Sequence, residues 1–116
     1  MATKLNKETL QFAKELIKKG NIEKSEGSWS QSQPSTEDEN KFIAKQDMQT
    51  YGNWHLGIDS NEDNENKGRY KFPYGDYKKV YRSGLIAVKQ RAAQNNYADI
   101  EKAADELLGL IDQANK

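Results

Sequence analysis

Asp76-Tyr77-Lys78-Lys79-Val80-Tyr81-Arg82-Ser83-Gly84-Leu85-Ile86-Ala87-Val88-Lys89-Gln90-Arg91-Ala92, followed after Asn95-Asn96 by Tyr97-Ala98-Asp99-Ile100-Glu101-Lys102-Ala103-Ala104-Asp105-Glu106-Leu107-Leu108, is the stretch that decides the fold. From Tyr77 onward, Val80, Tyr81, Gly84, Leu85, Val88 and Ala92 recur at helical spacing, with Asp76 placed as N-cap. Tyr97, Ile100, Ala103, Ala104, Leu107, Leu108 and Ile111 form a second stripe, capped by Asn96 and with Asp99 in its first turn. The two-residue break at Asn95-Asn96 makes the pair an antiparallel helical hairpin. Gly84 on the inward stripe costs about 1 kcal/mol relative to Ala, so its expected use is close approach of another backbone.

Upstream, Trp54, Leu56 and Ile58 alternate with Asn53, His55 and Gly57 across 51–59. Tyr70, Phe72 and Tyr74 alternate with Arg69, Lys71 and Pro73. Period-two patterns separated by the polar run 60–68 predict a two-stranded antiparallel hairpin, with Pro73 marking an edge or an end. Such a hairpin is marginal alone and must rest on helices. Residues 5–19 read as an amphipathic helix ended by Gly20-Asn21. Residues 36–49 read as a second helix, with Thr36 as N-cap and Glu39 completing a capping box. Residues 21–35 have no period, contain Pro34 and predict a flexible linker, on which Trp29 is expected to dock back onto the domain. The expected fold is therefore α+β and mainly helical: an N-terminal helix, a short antiparallel β-hairpin and a C-terminal helical hairpin. It forms a single domain over 1–116, with the compact core module at 51–112.

With 116 residues, 34% hydrophobic and 31% charged, the chain can build only a thin core. No apolar run approaches the roughly 18 residues of a membrane span, and the N-terminus lacks the apolar segment of a signal peptide. With no Cys, disulfides, thiolate metal sites and cysteine nucleophiles are excluded. A cytoplasmic protein without membrane association is the expectation. Net charge is zero, but it is patterned: +3 over 1–24, −7 over 25–66, +7 over 67–91 and −3 over 92–116. These blocks either neutralise one another in the fold or present the basic one to a polyanion.

Three places could carry chemistry. Asp59, Asn61 and Asp63 imitate the start of a calcium loop, but Asn64 stands where glycine is needed and Tyr70 where a bidentate carboxylate is needed. His55 is the only histidine, without a second ligand or an accompanying nucleophile, and reads as a surface or hydrogen-bonded residue. No cofactor, metal or catalytic set is expected. The third place is the block 67–82, where five of the eleven aromatics interleave with six bases. This composition resembles single-stranded nucleic-acid surfaces, in which aromatics stack on bases and cations meet phosphates. The same alternation also suits a buried strand face. The candidate polyanion-binding set is Lys67, Arg69, Lys71, Lys78, Lys79, Arg82, Lys89 and Arg91. The candidate protein-interaction surface is Trp54, His55, Tyr74 and Tyr77.

The pattern Trp54-His55-Leu56-Gly57-Ile58-Asp59, then 67–80, then Arg82-Ser83-Gly84-Leu85-Ile86-Ala87, Lys89-Gln90-Arg91-Ala92 and Ile100-Glu101-Lys102-Ala103-Ala104 resembles a small domain of unknown function in bacteriophage and prophage proteins. That domain occurs alone or appended to other phage proteins, including some near capsid maturation proteases. The resemblance covers about residues 51–112 and supplies no catalytic residues. Members often carry His at the position of Tyr81, so it assigns no acid–base role there. It implies a role in particle assembly, DNA handling or host interaction, in the cytoplasm of the bacterial host cell. The expected function is a non-enzymatic module that binds a protein partner, with nucleic-acid binding through 67–91 as the alternative.

Overall fold

The computed structural model describes residues 3–24, 27–63 and 65–114. Its centre is the helical hairpin, α5 (Arg82–Gln94) and α6 (Ala98–Ala114). Asn96 turns the chain at φ 63°, a left-handed conformation that Asn tolerates better than most residues. The Tyr97 amide closes the turn by donating to the Ala92 carbonyl at 2.9 Å. Leu85, Val88 and Ala92 meet Ile100, Ala104, Leu107 and Ile111 in a common core. Arg82–Asp112 (3.2 Å) and Lys89–Asp105 (2.7 Å) bridge the outer side, in the register of antiparallel helices. These exposed pairs add little to stability.

The remaining elements, in chain order, are β1 (Thr3–Leu5), α1 (Lys7–Lys18), β2 (Ile22–Glu23), α2 (Trp29–Ser32), α3 (Thr36–Lys45), α4 (Met48–Gly52), β3 (His55–Asp59), β4 (Tyr70–Pro73) and β5 (Val80–Tyr81). The fold is α+β and mainly helical. Strand β3 lies between β1 and β4, antiparallel to both, with Leu5 opposite Gly57 and His55 opposite Pro73. The expected hairpin thus gains a third strand, too short for a periodicity to reveal. Leu5 belongs to that strand and not to the helix. The outward Leu5 amide donates to Asp99 Oδ2 at 2.9 Å, so α6 blocks this sheet edge.

Five further expectations are corrected. The helix predicted from Tyr77 begins at Arg82. The Asp76 carboxylate accepts the Lys78 and Lys79 amides at 3.0 and 2.8 Å and so holds a turn that competes with helix. Tyr77 sits at φ 71°, and Val80 and Tyr81 instead run parallel to Ile22 and Glu23. The region 21–35, predicted as a flexible linker without a period, supplies β2 and the helical turn α2. Trp29 lies 5.5 Å from the ring of Tyr81, so the expected docking is observed. Residues 25–26 lie outside the described residues.

The capping box at the start of α3 uses Ser35 and Asp38, one residue earlier than predicted. This leaves Glu39 available for a tertiary contact. The helix predicted over 36–49 is broken near Gln46. Asp47 then caps α4, its Oδ1 accepting the Thr50 amide. Finally, the core is not confined to 51–112: Ala13 and Ile17 of α1 are buried in the same cluster, and Phe12 packs edge-on against Trp54 at 5.4 Å.

The reading of Gly84 holds. A Cβ there would stand 2.7 Å from the Tyr74 carbonyl oxygen and 3.0 Å from its Cα. Gly84→Ala is therefore expected to destabilise by about 1–3 kcal/mol, although Ala is the better helix former. Urea denaturation would show this as a lower midpoint at unchanged slope. A higher midpoint would mean that the backbones are not in contact.

Candidate functional site

The four residues expected to form an interaction surface do not form one. Trp54, His55 and Tyr74 are 4%, 3% and 0% exposed, and only Tyr77 reaches solvent in part. The Tyr74 hydroxyl donates to the Asn53 carbonyl at 2.7 Å, and the Trp54 ring packs against Phe12, Tyr74 and Tyr77. His55 lies in this layer, its Nδ1 3.0 Å from the Tyr51 carbonyl oxygen and its ring 4.5 Å from the Tyr51 ring. Burial, opposed by that hydrogen bond and aided by Lys67, holds the imidazole at a pKa of about 4. The ring is therefore neutral at pH 7, and the carbonyl partner places its single proton on Nδ1. The period-two reading put His55 on the polar face; the aromatic rings of Tyr51 and Tyr70 cover that face. Among the described residues, no group of three or more His, Asp or Glu side chains could hold a metal ion.

The eight basic residues divide into two sets. Lys67 pairs with Glu39 at 2.8 Å and donates to Asn40 at 3.2 Å. Arg69 donates to the Glu62 carbonyl at 2.7 Å, and Arg82 and Lys89 form the bridges to α6. These four serve the fold. Lys71, Lys78, Lys79 and Arg91 are exposed and have no ion pair among the described residues. The aromatics interleaved with them are largely covered. Tyr74 is buried, Tyr70 packs edge-on to Tyr51 at 5.9 Å, Phe72 meets Tyr97 at 5.8 Å, and Tyr81 carries Trp29.

What the fold does assemble is a cleft of about 540 Å³ between α3, the segment after α2 and the turn 76–81. Phe42 and Tyr77 form its floor, stacked at 4.3 Å and 14°, with Tyr81 and Pro34 beside them. Burial, then the neighbouring Tyr51 and the acids Glu39 and Asp38, push the Tyr77 hydroxyl well above its ordinary pKa. It therefore stays neutral. Lys41, Lys45 and Lys78 stand on the walls with Asp38 and Asp76.

The charges of this cleft are unevenly committed. Asp38 is used in the capping box, and Asp76 accepts two amides and the Tyr81 hydroxyl. Among the described residues Lys41 pairs with the exposed Glu37, at 3.2 Å. Lys45 and Lys78 have no ion pair among the described residues. The cleft can therefore accept an anionic group over an apolar floor. Of its residues, only Tyr77 and Lys78 were candidates from the sequence. Lys41, Phe42 and Lys45 lie on one face of a helix by their spacing, but nothing in that spacing reveals what the face meets. No family model, curated protein sequence or solved structure is similar to this chain.

Proposed function

We propose that the chain is a non-enzymatic binding module that engages a protein partner through the cleft floored by Phe42 and Tyr77. The observation that carries this reading is the pair of lysines Lys45 and Lys78, without an ion pair among the described residues, beside the stacked rings of Phe42 and Tyr77. Such a surface complements a segment that carries both carboxylates and apolar side chains. The phage-domain resemblance adds the setting, an assembly role in the cytoplasm of a bacterial host.

Protein is favoured over nucleic acid because four of the eight bases have partners within the fold, and Tyr70, Phe72 and Tyr74 pack against other rings of the domain. Calorimetric titration at low salt with an oligo-glutamate peptide and with an oligothymidylate of equal charge tests the reading. The peptide is expected to bind, and Lys45→Glu/Lys78→Glu to weaken it about tenfold or more. Tighter binding of the oligothymidylate, weakened by Lys71→Glu/Arg91→Glu and not by the cleft variant, would overturn it in favour of nucleic acid.

A further inference from the structure

Helix α2, the end of β4 and one flank of α5 enclose a second cavity, of about 280 Å³. Trp29, Phe72, Pro73, Ala87 and Val88 line it with apolar groups. Its polar lining is Ser30, Gln33 and Arg91, and among the described residues no Asp or Glu contributes to it. Arg91 is exposed and has no ion pair among the described residues. The cleft of α3 sets Asp38 and Asp76 among its lysines, whereas the charge here has one sign. The two depressions share only Gln33.

The walls are fixed from behind. Trp29 rests on Tyr81, with 5.5 Å between ring centroids. Phe72 meets Tyr97 edge-on at 5.8 Å and lies against Gly57, where a Cβ would stand 2.7 Å from its ring. Phe72 also sits at φ 64°, a left-handed conformation uncommon for a bulky residue, and backbone outliers of this kind gather at ligand sites. Val88 is 2% exposed and belongs to the core. A cavity whose rings are held by the rest of the fold needs little ordering when it is filled.

We propose that this cavity is a second binding site, taking a small aromatic carboxylate with its ring against Trp29 and Phe72 and its carboxylate on Arg91. A guanidinium offers paired N–H donors that match a carboxylate, and Trp and Phe present ring faces and edges to a third ring. Size sets the limit. The volume is that of about nine water molecules at about 30 Å³ each, which admits one ring on a short carboxylate arm. A nucleotide, with base, sugar and phosphate, is too large. The site goes beyond the cleft reading and does not use Lys45 or Lys78.

Amide and indole chemical shifts of the labelled protein, titrated at low salt with phenylacetate and with the neutral phenylacetamide, test the site. Phenylacetate is expected to saturate with a Kd of about 1 mM or tighter and to move the Trp29 indole and residues 87–91. Phenylacetamide should bind about fivefold more weakly. Arg91→Gln is expected to abolish that preference, and Ala87→Leu, which fills the cavity, to prevent binding of either compound. No saturation by about 10 mM phenylacetate, equal wild-type affinity for the amide, a preference that survives Arg91→Gln, or binding undiminished by Ala87→Leu would each overturn the site. Shifts confined to 38–46 and 76–81 would do the same by placing the ligand in the cleft. None of these outcomes bears on the oligo-glutamate titration, so the cleft reading stands or falls separately.

Discussion

Trp54→Ala is expected to remove about 3–5 kcal/mol of folding stability, the range for deleting a buried Trp or Phe side chain. The indole is 4% exposed and touches Phe12 of α1, Tyr74 before β5 and Tyr77 in the turn that floors the cleft. Its loss opens a cavity where three parts of the chain converge. For a domain of this size that is a large fraction of the total, so the urea midpoint should fall far and the far-UV signal begin to decline at room temperature. The same substitution also decides between two roles for the residue. A Trp serving as an exposed interaction surface would cost about 0.5 kcal/mol or less when truncated. A loss that small would place Trp54 outside the core.

Acidification should be the second large effect. The His55 imidazole titrates near 4 in the fold against an ordinary 6.5, because burial penalises its charged form. Between those values the unfolded chain binds more protons than the folded one, so stability falls as pH falls. The contribution is fully present above about pH 6.5, is lost progressively down to about pH 4, and amounts to about 3 kcal/mol. Urea unfolding at a series of pH values measures it. His55→Asn, whose amide nitrogen takes the position of Nδ1 as donor to the Tyr51 carbonyl and does not titrate, is expected to flatten the profile over this window even if it lowers stability throughout. A wild-type profile flat from pH 7 to 4.5 would show that the imidazole is solvated.

The parts of the fold legible in the sequence are those where one period runs over many residues. The stripe from Leu85 to Ala92 and the one from Ile100 to Ile111 carry the helical pair because apolar spacing of that length has one reading. Gly84 was legible for a related reason: a glycine on an apolar helical face is costly unless a backbone lies against it. The short strands were not. Thr3–Leu5 and Ile22–Glu23 are too brief to show a period, and each exists only through a partner far along the chain.

Asp76 shows how a correct chemical signal can be misplaced. Its carboxylate caps backbone amides, as expected of the residue type, but it closes a turn at Lys78 and Lys79 and not a helix. That turn carries Tyr77 onto Phe42 and creates the cleft. The site escaped the sequence because it joins α3 to a loop more than thirty residues away, and neither segment announces the other. His55 is hydrogen-bonded, one of the two readings its residue type allows, but it is not at the surface: alternation assigns faces without saying what covers them, and here Tyr51 and Tyr70 cover the face that looks polar.

The central claim, that the working surface is the cleft between α3 and the turn 76–81, is tested most directly by mapping amide chemical shifts of the labelled protein during titration with an oligo-glutamate peptide at low salt. Perturbations are expected to concentrate at 38–46 and 76–81 and to vanish in the Lys45→Glu/Lys78→Glu variant. Perturbations centred instead on Lys71, Arg91 and the α2 turn, and unchanged in that variant, would contradict it.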